Sequence, residues 1–84
     1  MDIFTLGILL FLLAFGTMPF LKADLNDEYY RLIAYNNIPE FVRSHPSTQN
    51  MENIDMQMME IIFHCMSWNP LNRPTIETLK EYVA

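Results

Sequence analysis

The sequence holds one cysteine, two glycines and five lysine or arginine residues, and each scarcity excludes a class of protein. A single thiol, Cys65, cannot form a disulfide within the chain, which fits a reducing compartment such as the cytoplasm. The five basic residues are scattered singly, so no basic stretch is present for binding nucleic acid or an acidic membrane surface. With a formal net charge of −5 at pH 7, we expect neither nucleic acid nor membrane as a partner.

Residues that could carry chemistry are also few. Gly7 and Gly16 stand alone, so neither belongs to a phosphate-binding loop. His64 and Cys65 are adjacent and point in different directions on a helix, while His45 has no partner at metal-ligand spacing. A cysteine on an apolar helical face, as Cys65 is here, is typical of an inert core thiol. The sequence therefore predicts no catalytic, cofactor-binding or metal-binding residue.

Apolar residues are abundant, at 51% of 84, and none of residues 3–21 is charged. This run is near the length of about 20 residues that a membrane-spanning helix needs. Its flanks favour another interpretation, because Asp2 stands where a signal peptide carries positive charge and Pro19 follows a helix-breaking Gly16. We therefore expect a buried helix, with a small membrane-anchored protein kept as an alternative.

Helical periodicity and capping residues predict the secondary structure of the whole chain. Asp2 can cap the apolar helix, Asn26 or Asp27 the next one, and Thr75 the last. No apolar run has the period of two that marks a strand. The expected fold is all-α, with one buried central helix over residues 3–15, about three further helices over residues 27–34, 53–67 and 76–83, and a single helical turn over residues 39–43.

Two motifs connect the chain to a known family. The first covers residues 2–11 and 16–20, which read DIFTLGILLF and GTMPF. It resembles the protein kinase stretch D-[IV]-[WF]-[ST]-L-G-[IV]-[IL]-L-[FY] followed by G-x-x-P-F. The second covers residues 68–77, which read WNPLNRPTIE, and is similar to the closing N/D-P-x-x-R-P-T of the same domain. Their order and separation match those of the C-terminal part of the C-lobe of a eukaryotic protein kinase domain.

The resemblance implies structural roles for three residues. Asp2 is similar to the family's aspartate that heads the central helix and hydrogen-bonds the backbone of the catalytic loop. Gly7 is expected to allow close packing of that helix, and Arg73 is similar to the arginine that pairs with the glutamate of the A-P-E motif. Trp68 directly precedes Asn69 and is separated from Cys65, which favours the Ser/Thr branch over the tyrosine kinases.

The chain lacks the residues that perform phosphoryl transfer in this family. Those are the Gly-rich loop, a lysine, the H-R-D aspartate and the D-F-G aspartate that holds magnesium. We therefore interpret residues 1–84 as a partial kinase domain that is inactive as given, with Met1 either an internal methionine or the start of a remnant. ATP, Mg²⁺, a protein substrate and the missing part of the domain are the cofactors and partners implied for the intact family.

A second hypothesis is that the chain is a short helical module that docks on kinases or their substrates through residues 24–43. Two further expectations follow from the missing lobe. An Arg73 without its glutamate should turn outward or leave its region frayed, because an unpaired buried charge is costly. The central helix should expose an apolar patch along residues 3–15 and make the chain self-associate.

Overall fold

The computed structural model describes residues 2–48 and 56–83, and within these two ranges it is entirely helical, with no strand. The all-α prediction is confirmed. The helices, in chain order, are α1 (Ile3–Phe15), α2 (Glu28–Ala34), α3 (Ile38–Ser44), α4 (Met56–Cys65) and α5 (Ile76–Val83), with a 3₁₀ turn at Pro70–Asn72 before the last of them.

Helix α1 begins and ends where its capping residues predict. Asp2 has an extended backbone, and its carboxylate accepts a hydrogen bond from the Thr5 N–H. At the other end, Gly16 adopts a left-handed conformation with φ of 79° and donates its N–H to the Leu12 carbonyl. A residue with a side chain would be strained at that φ, so Gly16 ends the helix.

The α2–α3 pair follows its predicted turn chemistry but contains more helix than expected. Asp27 is the cap of α2, and Asn36 takes a left-handed φ of 58° in the turn between the two helices. Pro39 lies in the first turn of α3, where its missing N–H costs nothing. The segment predicted as a single turn is a helix of 7 residues, so four helices accompany α1 in the described ranges instead of about three.

Helix α4 is shorter than predicted at its C-terminal end. It stops at Cys65, two residues before the expected Ser67, and its predicted start at Asn53 lies outside the described residues. The cap of α5 is confirmed, because the Thr78 N–H donates to the Thr75 hydroxyl oxygen at 3.1 Å. Before it, the Asn69 side chain accepts from the Leu71 N–H and begins the 3₁₀ turn.

The core is built from aromatic and sulfur-containing side chains. Helix α1 packs on α4, and α2 packs on α3. The Phe11 ring lies edge-on to the rings of Phe41 and Phe63, at centroid distances of 5.8 and 6.3 Å, and so joins α1 to α3 and α4. Ile62 and Met66 are fully buried beside them. One continuous core therefore connects the first motif with α4.

The expectation that α1 is enclosed on all sides is wrong. Gly7 and Phe11 are its buried residues, whereas Leu13 is 74% exposed and Leu9 and Leu12 are each 37% exposed. The remaining helices cover one side of α1, and a helix that is apolar all round needs neighbours on every side. The exposed apolar patch that we expected along residues 3–15 is confirmed, and self-association through it stays a prediction.

Candidate functional site

Asp2 is held in place by the first turn of the helix that it caps. Its Oδ1 accepts a hydrogen bond from the Thr5 N–H at 2.7 Å, and the residue is otherwise exposed. That bond is the main cause of a lowered pKa of the Asp2 carboxyl, and the positive charge of Arg73 contributes in the same direction. Asp2 is therefore a fixed carboxylate at the surface, open to hydrogen-bond donors from elsewhere.

Arg73 lies against the start of α1. Its guanidinium carbon is 5.0 Å from the centre of the Phe4 ring, and its Nε donates to the Ser67 carbonyl oxygen at 2.8 Å. The side chain is half-buried. A guanidinium over an aromatic ring is stabilised by the ring quadrupole. The two motifs, at opposite ends of the sequence, thus meet at one corner of the fold.

The hypothesis that Arg73 turns outward or leaves its region frayed concerned a buried charge without a partner, and Arg73 is instead half-buried with two contacts. The ring of Phe4 and the carbonyl oxygen of Ser67 both contact the Arg73 guanidinium. Its positive charge is therefore neither unpaired in the core nor fully solvated. Among the described residues, no acidic side chain forms an ion pair with Arg73. The hydrogen bond to Ser67 is donated by Nε, so the two outer nitrogens of the guanidinium take no part in that bond.

Gly7 is the point at which α1 and α4 approach most closely, and its position agrees with the close packing implied by the kinase resemblance. A Cβ built at Gly7 would lie 2.8 Å from the Cys65 Cβ, 2.8 Å from the Met66 Cγ and 3.3 Å from the Ile62 carbonyl oxygen. The first and last of these atoms belong to or adjoin the backbone of α4 and cannot move independently. A side chain at this position would push the two helices apart.

Asp27 caps α2 and also binds the backbone of the loop after α1. The sequence predicts the cap but gives no signal for the contact with the loop. Its Oδ1 accepts from the N–H groups of Tyr29 and Tyr30, and its Oδ2 accepts from those of Leu21 and Lys22. Partial burial acts to raise the pKa of the Asp27 carboxyl, but the four backbone hydrogen bonds outweigh it and leave the pKa below its ordinary value. One carboxylate thus fastens the loop after α1 to α2.

His45 forms a buried polar connection that the sequence reasoning missed. The Ser47 N–H donates to its Nδ1 at 3.2 Å, so the ring proton is on Nε2, which lies 3.2 Å from the Met18 carbonyl oxygen. The ring stacks on Phe41 at a centroid distance of 4.9 Å. Because both nitrogens and one ring face are occupied, His45 links α3 to the loop after α1 and is not placed as a metal ligand.

Cys65 and His64 are the adjacent pair of side chains that the sequence singles out as possible chemical groups, and the structure separates their surroundings. Burial raises the pKa of the Cys65 thiol, which makes it a poor nucleophile, and its neighbour His64 points to solvent. Within residues 2–48 and 56–83, no three His, Cys, Asp or Glu side chains come together as possible metal ligands. No helix in those ranges has both the length and the apolar character to cross a membrane.

Comparison with known proteins supports a link to the serine/threonine kinases. Over 80 residues the chain is 32% identical to the probable cell cycle serine/threonine-protein kinase CDC5 homolog of Encephalitozoon cuniculi (strain GB-M1). The aligned part covers 90% of this chain but 14% of that protein. No protein-family model and no solved structure matches the chain. The similarity therefore covers most of this chain and a small part of that protein.

Proposed function

We propose that this chain is the C-terminal helical part of the C-lobe of a serine/threonine protein kinase domain, in which it supports the catalytic elements and takes no part in the reaction. The observation that carries the proposal is the corner at which Arg73 lies on Phe4 beside the helix cap Asp2. Two motifs from opposite ends of the sequence need not meet in an arbitrary helical fold. The 80-residue similarity to a serine/threonine kinase supports the same conclusion.

In this function the chain would supply fixed points for a neighbouring part of the domain. Asp2 presents an exposed carboxylate at the end of a rigid helix, suited to accept backbone N–H groups from a catalytic loop. The outer guanidinium nitrogens of Arg73 are suited to a bidentate bond with a carboxylate, the role that the glutamate of A-P-E would take. The exposed leucines of α1 would be covered by the same neighbouring part.

ATP and Mg²⁺ would be bound by that neighbouring part, in a cytoplasmic setting, and the 84-residue chain alone would be inactive. Isothermal titration of the purified chain with MgATP is expected to give no binding heat, and incubation with a generic protein substrate no phosphate transfer. Saturable nucleotide binding or transfer by the chain alone would contradict this part of the proposal.

A domain graft tests the proposed role directly. The aligned 80-residue segment of the Encephalitozoon cuniculi kinase is replaced by the matching residues of this chain, and phosphate transfer to a generic protein substrate is measured. If the chain is the helical end of a kinase domain, the graft folds and retains measurable activity. A control graft carries the same residues in scrambled order. A soluble, folded graft with no more activity than the scrambled control would refute the proposal.

Matched arginine variants of the graft separate the proposed role of Arg73 from a general effect of charge. Arg73→Ala is expected to lower kcat strongly, because the proposed partner glutamate loses its bidentate bond. Arg31→Ala, which removes an exposed arginine from α2, should leave kcat close to that of the parent graft. Equal effects of the two substitutions would show that Arg73 has no special position in the domain.

A further inference from the structure

A groove runs between α3 and α4. Its volume is about 500 Å³, and its walls are apolar, with Ile38, Pro39 and Val42 from α3 and Met59 and Phe63 from α4. Cavities of this size, mostly apolar with a few polar groups, are typical binding sites. The groove is large enough to hold one or two bulky side chains of a partner.

The groove uses a different face of α4 from the one that packs on α1. Ile62, Cys65 and Met66 lie against Gly7 of α1, whereas Glu60 and His64 are exposed at the rim of the groove. Covering the leucines of α1 would therefore leave the groove open. The two surfaces can be occupied at the same time by different partners.

A second, polar cavity of about 440 Å³ lies beside the groove. Asn36, Phe63, His64 and Ser67 line both cavities, so the two are neighbours on the surface. The polar half adds the side-chain amides of Asn69 and Asn72 and the ring of Trp68, which is 60% exposed. The Asn69 side-chain oxygen already accepts from the Leu71 N–H, so Asn69 supplies amide donors, while the amide of Asn72 carries both donors and an acceptor for an extended peptide backbone.

Electrostatics restrict the partner further. Among the described residues that line the two cavities, Glu60 is the one carboxylate, and no lysine or arginine is present. The chain as a whole carries a formal net charge of −5. A basic side chain bound near Glu60 would be attracted by both, whereas an acidic one would be repelled.

We propose that this groove binds an extended segment of a partner protein, with a bulky apolar residue in the apolar half, its backbone on the amides and a lysine or arginine beside Glu60. This binding does not depend on the kinase role, because Asp2, Gly7 and Arg73 are not among the described residues that line the two cavities. It identifies a peptide-docking function for the face formed by α3 and α4.

Peptide selection tests this inference without a known partner. The purified chain is immobilised and used to select from a random twelve-residue peptide library, and the enriched peptides are synthesised and titrated by fluorescence polarisation. We expect a shared pattern of one bulky apolar residue within about three positions of a lysine or arginine, the reach of an extended strand across the groove. Enrichment of acidic peptides, or of none above the bare support, would overturn the proposal.

Charge-reversal variants test whether the basic residue of the peptide binds beside Glu60. Glu60→Lys should weaken binding about tenfold, since an exposed attraction is lost and a repulsion added. Glu81→Lys is the matched control, because it makes the same charge change at an exposed position of α5 and should change the affinity less than twofold. Circular dichroism confirms that both variants fold. Equal weakening by both variants would refute the assignment to this groove.

A backbone NMR titration gives an independent location. Addition of the selected peptide should shift the amide signals of Val42, Met59 and Phe63 and leave those of Leu9 and Leu13 unchanged. The alternative outcome, in which the largest shifts fall on the exposed leucines of α1, would mean that the peptides bind the apolar patch instead and would overturn the proposal.

Discussion

The contact of Gly7 with α4 gives the sharpest quantitative prediction, because two physical effects of one substitution have opposite signs. In a helix that touches nothing, Gly→Ala raises stability by up to about 1 kcal/mol, since alanine loses less backbone entropy on folding. At Gly7, however, the new Cβ would lie 2.8 Å from both the Cys65 Cβ and the Met66 Cγ. Carbon atoms prefer separations of about 3.5–4.0 Å, so α1 and α4 must separate by roughly half an ångström or more.

The steric effect is expected to win. Overpacking by one methyl group in a well-packed interface costs about 1–3 kcal/mol, and the Ile62 carbonyl oxygen at 3.3 Å limits how far the new group can turn away. Gly7→Ala should therefore lower the free energy of unfolding by up to about 2 kcal/mol after the helix-propensity gain is subtracted. For a chain of this size, that loss moves the midpoint of urea unfolding down by roughly 1 M.

The assay is urea unfolding followed by circular dichroism at 222 nm, at low micromolar concentration so that the exposed leucines of α1 do not cause association. Ala14→Gly is the matched control, because Ala14 is an exposed position of the same helix and reports the propensity effect without a contact. It should lower stability by up to about 1 kcal/mol. If Gly7→Ala is more stable than the parent, by about the amount that Ala14→Gly loses, the close packing of α1 on α4 is wrong.

Three further predictions concern single side chains. Asp27→Ala should destabilise the fold by about 2 kcal/mol, since it removes the cap of α2 and the hydrogen bonds to the loop after α1. Because the pKa of Asp27 is lowered in the folded state, this contribution is present above about pH 4 and is lost as the pH falls below it. The stabilities of parent and variant should therefore converge in acid, and a constant difference down to pH 2 would contradict the assignment. Burial and a raised pKa should make the Cys65 thiol react far more slowly with a chromogenic disulfide in the native chain than in urea, and equal rates would show that it is not in the core. Arg73→Ala should cost about 1 kcal/mol through the loss of its contact with Phe4, against little for Arg31→Ala, and the reverse order would refute that contact.

Local signals in the sequence predict the helices well. Asp2, Asp27 and Thr75 each begin a helix because a short acceptor side chain satisfies N–H groups of the first turn, and that effect acts within three residues. Gly16 ends α1 for an equally local reason, its left-handed backbone. The all-α prediction follows from such signals because each is decided by its immediate neighbours in the chain.

The burial of α1 could not be predicted from the same signals. The uniformly apolar sequence of α1 favours burial on all sides, but it does not show whether the remaining residues are numerous enough to cover the helix. In the structure they cover Gly7 and Phe11 and leave Leu13 largely exposed. The predicted bounds of a helix can therefore be correct while its predicted burial is wrong.

The candidate site was predicted in part. The resemblance of two motifs to a kinase singled out Asp2, Gly7 and Arg73, and the structure brings the first and last to one corner and packs Gly7 on α4. The way in which Arg73 is satisfied depends on an aromatic ring and a carbonyl oxygen from two distant segments, so no local pattern encodes it. The same holds for the second oxygen of Asp27, which reaches backwards to the loop after α1.

If this chain supports catalytic elements from a neighbouring part of a kinase domain, its gene should encode them. Full-length transcript sequencing, joined to peptide mass spectrometry of the native protein, reads the coding sequence around codon 1. The account predicts an open frame that continues upstream through H-R-D, D-F-G and A-P-E segments in that order. An in-frame stop codon shortly before Met1, with the 84-residue product as the detected protein, would contradict it.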